Sequence, residues 1–220
     1  MKFFISLIAL ITLNLTMAQK SYLALGDSYT IGEGLEIDQS WPHQLVQLLN
    51  QKGFDFKPPQ IIAKTGWRTD ELKRAMRKEL KKETTFDLVS LLIGVNNQYQ
   101  EKSFKKYKRE FKKLLKKAIE RSKHAHKGVF VVSIPDYGVT PFAVEKDKKN
   151  AILDLMEYNS YAKTLCNSLK VPFYDITSLS AKYSRSEDML MDDKLHPNAE
   201  QYKNWINAFL PQVIEQLKSM

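Results

Sequence analysis

One cysteine in 220 residues leaves this chain no internal disulfide, so its stability has to come from its core. Glycine and proline are sparse at eight each, and they are scattered. No linker, repeat or low-complexity tract divides the chain, and its length suits one domain. Histidine is scarce too. The four histidines and the lone Cys166 form no group with Asp or Glu at metal-ligand spacing, so no metal and no cofactor are expected. Cys166 falls beside Leu165 and Leu169 on a helical pattern and reads as a small buried apolar residue. A long apolar run is also missing. The longest, Phe3 to Leu13, is interrupted by Ser6 and Thr12 and is too short to span a bilayer comfortably.

That run follows Met1-Lys2 and precedes the small residues Thr16 and Ala18, which is the pattern of a secretory signal. Residues 1–18 are therefore expected to be a signal peptide and residues 19–220 an exported domain, periplasmic or extracellular, with no integral membrane segment after cleavage. No Cys lies near the cleavage point, so a lipid-anchored lipoprotein is not indicated. Net charge is +9, and loss of Lys2 with the leader leaves +8. The lysines are spread along helix faces and are not interleaved with aromatics, so no nucleic-acid partner is expected and the charge reads as solvated helix surface.

What the chain does have is alternation. Ser21–Leu25, Ile61–Ala63, Phe86–Ile93, Val129–Ile134 and Val171–Tyr174 read as strands, the third and fourth predominantly apolar, as strands covered on both faces are. Amphipathic helices lie between them. The clearest spans Ser103 to Ser122, with Phe104, Tyr107, Phe111, Leu114, Leu115, Ala118 and Ile119 on one face. Ile152, Leu155, Met156, Ala162, Leu165 and Leu169 mark a later one, and Tyr202 to Leu217 a last one with a bend expected near Pro211. This alternation predicts a three-layer α/β/α fold around a five-stranded parallel sheet, with functional residues on loops at the carboxyl ends of the strands.

Four such loops carry reactive side chains. Gly26-Asp27-Ser28 follows the first strand, where a serine at a strand-to-helix turn can present its oxygen at the sheet edge. By itself the tripeptide fits a helix-capping turn at least as well. Thr65-Gly66-Trp67 follows the second strand and Gly94-Val95-Asn96-Asn97 the third, each readable alone as an ordinary turn or cap. Near the C-terminus, Asp193 and His196 are three apart on a short turn, so the carboxylate could hold the imidazole Nδ1–H and leave Nε2 as a base. Asp193 is preferred to Asp192 for that spacing, and Asn198 with Gln201 has the spacing of a capping box for the last helix.

Together, in this order, the four blocks resemble those of the SGNH hydrolases, also called the GDSL esterase/lipase family, over nearly the whole chain after the leader. The resemblance implies a flavodoxin-like SGNH fold. It also implies Ser28 as nucleophile, His196 as general base and then acid, and Asp193 as its partner, with an oxyanion hole of the Ser28 and Gly66 N–H groups and the Asn96 side chain. Two positions depart from the family pattern: Tyr29 stands where it has leucine, and Asn97 where it has aspartate. The expected reaction is hydrolysis of carboxylic esters through an acyl-serine, with short acyl (acetyl) esters, carried by a small molecule or a polysaccharide, as the favoured substrate. Trp67 is a candidate sugar-stacking face, and Asn97 and Tyr137, the latter in the loop Pro135–Pro141, are candidate substrate contacts. Lysophospholipids and thioesters are the alternative substrates. A non-catalytic carbohydrate-binding domain and a polyanion-binding protein are the alternative classes.

Overall fold

The computed structural model describes residues 18–220, and the expected signal peptide lies outside them except for Ala18. Five parallel strands form one sheet: β1 (Tyr22–Asp27), β2 (Gln60–Lys64), β3 (Leu88–Leu92), β4 (Val129–Val132) and β5 (Phe173–Tyr174). Their spatial order is β2-β1-β3-β4-β5. The order reverses at β1, whose two neighbours are β2 and β3, so the crevice at its carboxyl end is the place where an open α/β sheet binds ligands. β1, β3 and β4 are buried along their whole length, as suits their mostly apolar sequences, with Asp27 and Ser90 the polar residues among them.

Each strand returns through helix. After β1 come the single turn α1 (Ser28–Ile31) and then α2 (Trp41–Gln51); α3 (Thr69–Glu79) follows β2. The short α4 (Val95–Tyr99) and the long α5 (Phe104–Glu120) follow β3. Beyond β4 lie α6 (Pro141–Glu145) and α7 (Ala151–Ser168), and beyond β5 lie α8 (Thr177–Tyr183) and α9 (Ala199–Lys218). Helices α3, α5 and α7 pack side by side as one layer and α2 with α9 as the other. Trp41 and Trp205, both about 1% exposed, fill the α2–α9 side, and Tyr107 and Phe111 fill the α5 side. Cys166 is fully buried, and its burial pushes the thiol up to about 12, which keeps it protonated and inert.

Two local expectations change. Met156, placed on the inner face of α7 by its spacing, is 60% exposed, because the helix is rotated to bury Leu155, Tyr158, Asn159 and Ala162. Only half of the capping box forms: Asn198 Oδ1 accepts the Gln201 N–H at 2.9 Å, while the Gln201 side chain turns to the Met189 carbonyl and the Ser184 hydroxyl.

Candidate active site

Ser28 is the first residue of α1, at the point where β1 ends. The approach of β1 to this turn allows no side chain at Gly26. A Cβ there would lie 2.6 Å from the Leu92 carbonyl of β3 and 2.0 Å from Thr30 Oγ1. Asp27 caps the helix, accepting the Tyr29 N–H at 3.1 Å, and Gly32 closes it in the left-handed region at φ 74°. Ser28 is thereby held on a rigid four-residue turn at the carboxyl edge of the sheet.

The turn before α9 brings His196 to it. Met191 N–H donates to the His196 carbonyl and Lys194 N–H to Met191, each at 2.8 Å, with Lys194 itself left-handed at φ 57°. Inside this loop Asp193 Oδ1 accepts the N–H groups of Leu195 and His196, both at 2.9 Å, and Oδ2 lies 2.5 Å from His196 Nδ1. With Nδ1–H committed to the carboxylate, Nε2 is the acceptor for the Ser28 hydroxyl, 2.9 Å away and 168 residues distant in sequence. Partial burial pushes the Asp193 carboxyl up, but the hydrogen bonds from His196 and Leu195 outweigh it and hold the carboxyl at about 2. Asp192 makes no such contact. Tyr29 packs its ring 5.2 Å from the imidazole, centroid to centroid, so the aromatic that replaces leucine helps to hold the histidine.

Above Ser28 and His196 lies a cavity of about 140 Å³, lined also by Gly66, Asn96, Tyr99, Tyr137 and Phe142. Gly66 is left-handed at φ 78°, and the hydrogen bond of its turn runs from Trp67 N–H to the Lys64 carbonyl, so the Gly66 N–H is not used in it. Asn96 donates one amide hydrogen to the Trp67 carbonyl at 3.1 Å, which orients the amide and leaves its second N–H. The Ser28 N–H, at the start of a helix, has no intrahelical acceptor. Ser28, Gly66 and Asn96 therefore bring three donor groups to one small cavity beside a serine–histidine–aspartate chain. His43, His124 and His126 lie outside it.

A family model described as GDSL-like Lipase/Acylhydrolase matches residues 24–203. The chain belongs to the GDSL-like lipase/acylhydrolase family. It is thus a serine ester hydrolase of the SGNH fold. No curated protein matches by sequence. Among solved structures it is similar to TesA (17% identity, TM-score 0.69, covering 90% of this chain and 99% of that one). It is similar to a catalytic mutant of an acetylxylan esterase from Geobacillus stearothermophilus (16%, 0.68, 88% and 94%). A third is a carbohydrate acetylesterase family member from Sinorhizobium meliloti (18%, 0.66, 91% and 100%).

The structure of this GDSL-family hydrolase moves two expected substrate contacts out of the cleft. Trp67 packs half-buried against the core, and only its carbonyl serves the site, through Asn96. Asn97 is 1% exposed and faces α3. Its Oδ1 accepts the Thr69 N–H at 3.0 Å, and its Nδ2 donates to Thr69 Oγ1 at 2.9 Å. The Thr69 hydroxyl donates in turn to the buried Glu110 carboxylate at 2.6 Å. That hydroxyl has spent its proton, so its neighbour at 97 must be a donor. An aspartate could not supply one and would face a second carboxylate, which accounts for the amide at this position. Tyr137 does line the cleft, its hydroxyl donating to Gln98 Oε1 at 2.7 Å. The sequence reading did not pick out Val95, Tyr99, Phe142 or Leu195, which complete the wall. They come from two short helices, α4 and α6, and the loop before α9, and nothing in their spacing marks them.

Asp27 is the other residue whose part was not read. It is fully buried, and its Oδ2 has no hydrogen-bond partner. Burial raises its carboxyl to about 7 against the opposing N–H groups of Tyr29 and Gly94. From about pH 4 to 7 the folded chain holds a proton that the unfolded chain releases, so this group lowers stability as pH rises through that window. Asp27→Asn is expected to remove the effect. Thermal melts at pH 5 and pH 8 should show the variant gaining on the parent at the higher pH, on the order of a few kcal/mol. Parallel pH dependences of the two proteins would contradict it.

Proposed function

We propose that this hydrolase cleaves short-chain, chiefly acetyl, esters through an acyl-serine, with an acetylated carbohydrate as the natural leaving group. The observation that carries the acyl preference is the cavity at Ser28. At about 140 Å³ it is well below the roughly 300–1,000 Å³ of pockets that enclose drug-sized ligands, and the bulky Tyr99, Tyr137 and Phe142 are among its lining. Oγ of Ser28 attacks the ester carbonyl while His196 Nε2 takes its proton, and Asp193 stabilises the imidazolium. The Ser28 and Gly66 N–H groups and the Asn96 amide receive the oxyanion. His196 then returns the proton to the departing alcohol and activates the water that releases the acid.

The carbohydrate part of the reading is supported by the acetylxylan esterase and the carbohydrate acetylesterase among the similar folds. Its test is a series of p-nitrophenyl esters followed by acetylated xylo-oligosaccharides, lysophospholipids and acyl-thioesters. The value of kcat/KM should fall at least tenfold from acetyl or butyryl to octanoyl, and the acetylated sugar should be the best natural substrate. A rate that holds or rises with chain length would overturn the acyl preference, and faster turnover of lysophospholipid would move the reading to lipid. Asn96→Ala should lower kcat by about a hundred- to a thousandfold with KM little changed. An unchanged kcat would remove Asn96 from the oxyanion hole. Export after cleavage at Ala18 belongs to the same proposal; a secreted product whose first residue is not Gln19 would correct it.

A further inference from the structure

The outer surface of the α3–α5–α7 layer carries charge and apolar groups that the active site does not use. Lys105, Arg109, Lys112 and Lys116 are all exposed on α5. At 100° per residue they fall within about 60° of arc, a cationic stripe about 16 Å long. Among the described residues no carboxylate lies within ion-pair distance of these four; the helix's ion pairs run through Lys106, on its α3 side, to Asp70 and the buried Glu110. Like charges at these spacings repel, so the stripe weakens its own helix. Beside it, on the first two turns of α7, Leu153 and Met156 are 66% and 60% exposed. They share a surface hollow with Phe104 and Lys108 of α5, which places them against the start of the cationic helix. The acids nearby are Asp154, whose Oδ2 accepts from Gln98 at 3.0 Å, and Glu157.

We propose that this face docks the protein peripherally on an anionic lipid bilayer, the α5 cations on the headgroups and Leu153 and Met156 in the interfacial layer. Cations would be served equally by a soluble polyanion, but the two apolar side chains would not. Acidic polysaccharides and nucleic acids offer sugar rings and bases that stack on aromatics, and neither offers a medium that takes up the aliphatic side chains of leucine and methionine. A basic face with apolar side chains at its rim is the arrangement that lies in a membrane interface. The docking edge also adjoins the cleft. Gln98, which holds Asp154, accepts from Tyr137 of the cavity wall at 2.7 Å, so the start of α7 and the cavity wall are linked through one side chain. The inference stands apart from the choice of ester, since neither the α5 cations nor Leu153 and Met156 line the cavity at Ser28.

The test is co-sedimentation with vesicles of phosphatidylcholine alone and of phosphatidylcholine with phosphatidylglycerol, over a range of salt. The protein should bind the anionic vesicles and leave them as salt rises. Neutralising the stripe (K105Q/R109Q/K112Q/K116Q) should weaken that binding on the order of a hundredfold or more. The same number of changes elsewhere on the surface (K52Q/K57Q/K127Q/K203Q) should cost far less. L153S/M156S should weaken vesicle binding about tenfold and leave binding to soluble dextran sulfate unchanged. Hydrolysis of a soluble ester should match the parent for every variant, and the stripe variant should melt no lower than the parent, since it loses the repulsion along α5, which separates docking from folding and from catalysis. Equal binding by parent and stripe variant, equal loss in the control variant, or tighter binding to dextran sulfate than to vesicles with L153S/M156S silent would each overturn the proposal. The last would assign the face to a soluble polyanion.

Discussion

Ser28→Ala is expected to lower kcat toward p-nitrophenyl acetate by about a million-fold, and His196→Ala by as much, with the double variant little worse than either. The reason is geometric. His196 Nε2 lies 2.9 Å from Ser28 Oγ, so neither group acts without the other: an alanine at 28 leaves a base with nothing to deprotonate, and an alanine at 196 leaves a hydroxyl that is no nucleophile at neutral pH. What activity remains in either variant belongs to the donors around the cavity. The same experiment should show Ser28 labelled by a fluorophosphonate in the parent and unlabelled in Ser28→Ala. A serine variant that keeps a tenth of the parent rate, or a parent that resists the label, would reject Ser28 as nucleophile and favour a binding domain on this fold.

Asp193→Asn should cost about ten-thousand-fold in kcat with KM nearly unchanged. The loop dictates how the amide must sit. Asp193 Oδ1 accepts two backbone N–H groups, from Leu195 and His196, and an asparagine keeps its oxygen there. Its Nδ2–H then points at His196 Nδ1, which has to become the acceptor, and the ring proton moves to Nε2, where it faces Ser28 Oγ. The imidazole is present but in the tautomer that cannot take a proton from serine. Because the carboxyl is held at about 2, below its ordinary 3.8, its contribution to stability is fully present above about pH 4 and is lost as pH falls toward 2. It stays ionised across the working range, so an acid limb in the rate between pH 4 and 8 should not come from Asp193. An Asp193→Asn variant within tenfold of the parent would show that His196 is oriented by something else.

Much of this site was legible because its residues are tied to chain order. Strand runs such as Val129–Val132 announce themselves by unbroken apolar sequence. The functional blocks follow strand ends, where a parallel sheet gathers its loops. Asp193 and His196 are local to each other, so their spacing alone predicted a pairing that the fold then shows at 2.5 Å. Non-local relations were not legible in the same way. Asn97 and Trp67 are next to site residues in sequence, yet each faces away, Asn97 because α3 presents Thr69 to it and Trp67 because the core takes its ring. Phe142 and Tyr99 face the cavity from α6 and α4 with no spacing to betray it. Met156 shows the opposite error, an apolar residue at helical spacing that the rotation of α7 leaves in solvent.

By itself, then, the sequence determined the class of fold, the order of its strands along the chain and the four loops that hold the reactive side chains, since these follow from periodicity and from chemistry at short range. Tertiary structure alone decided the meeting of Ser28 with His196 across 168 residues, the size of the cavity above them and the cost of burying Asp27 beneath them. Distances between loops from different strands, and the desolvation of a group by its neighbours, depend on how whole layers pack. No local pattern of residues encodes that.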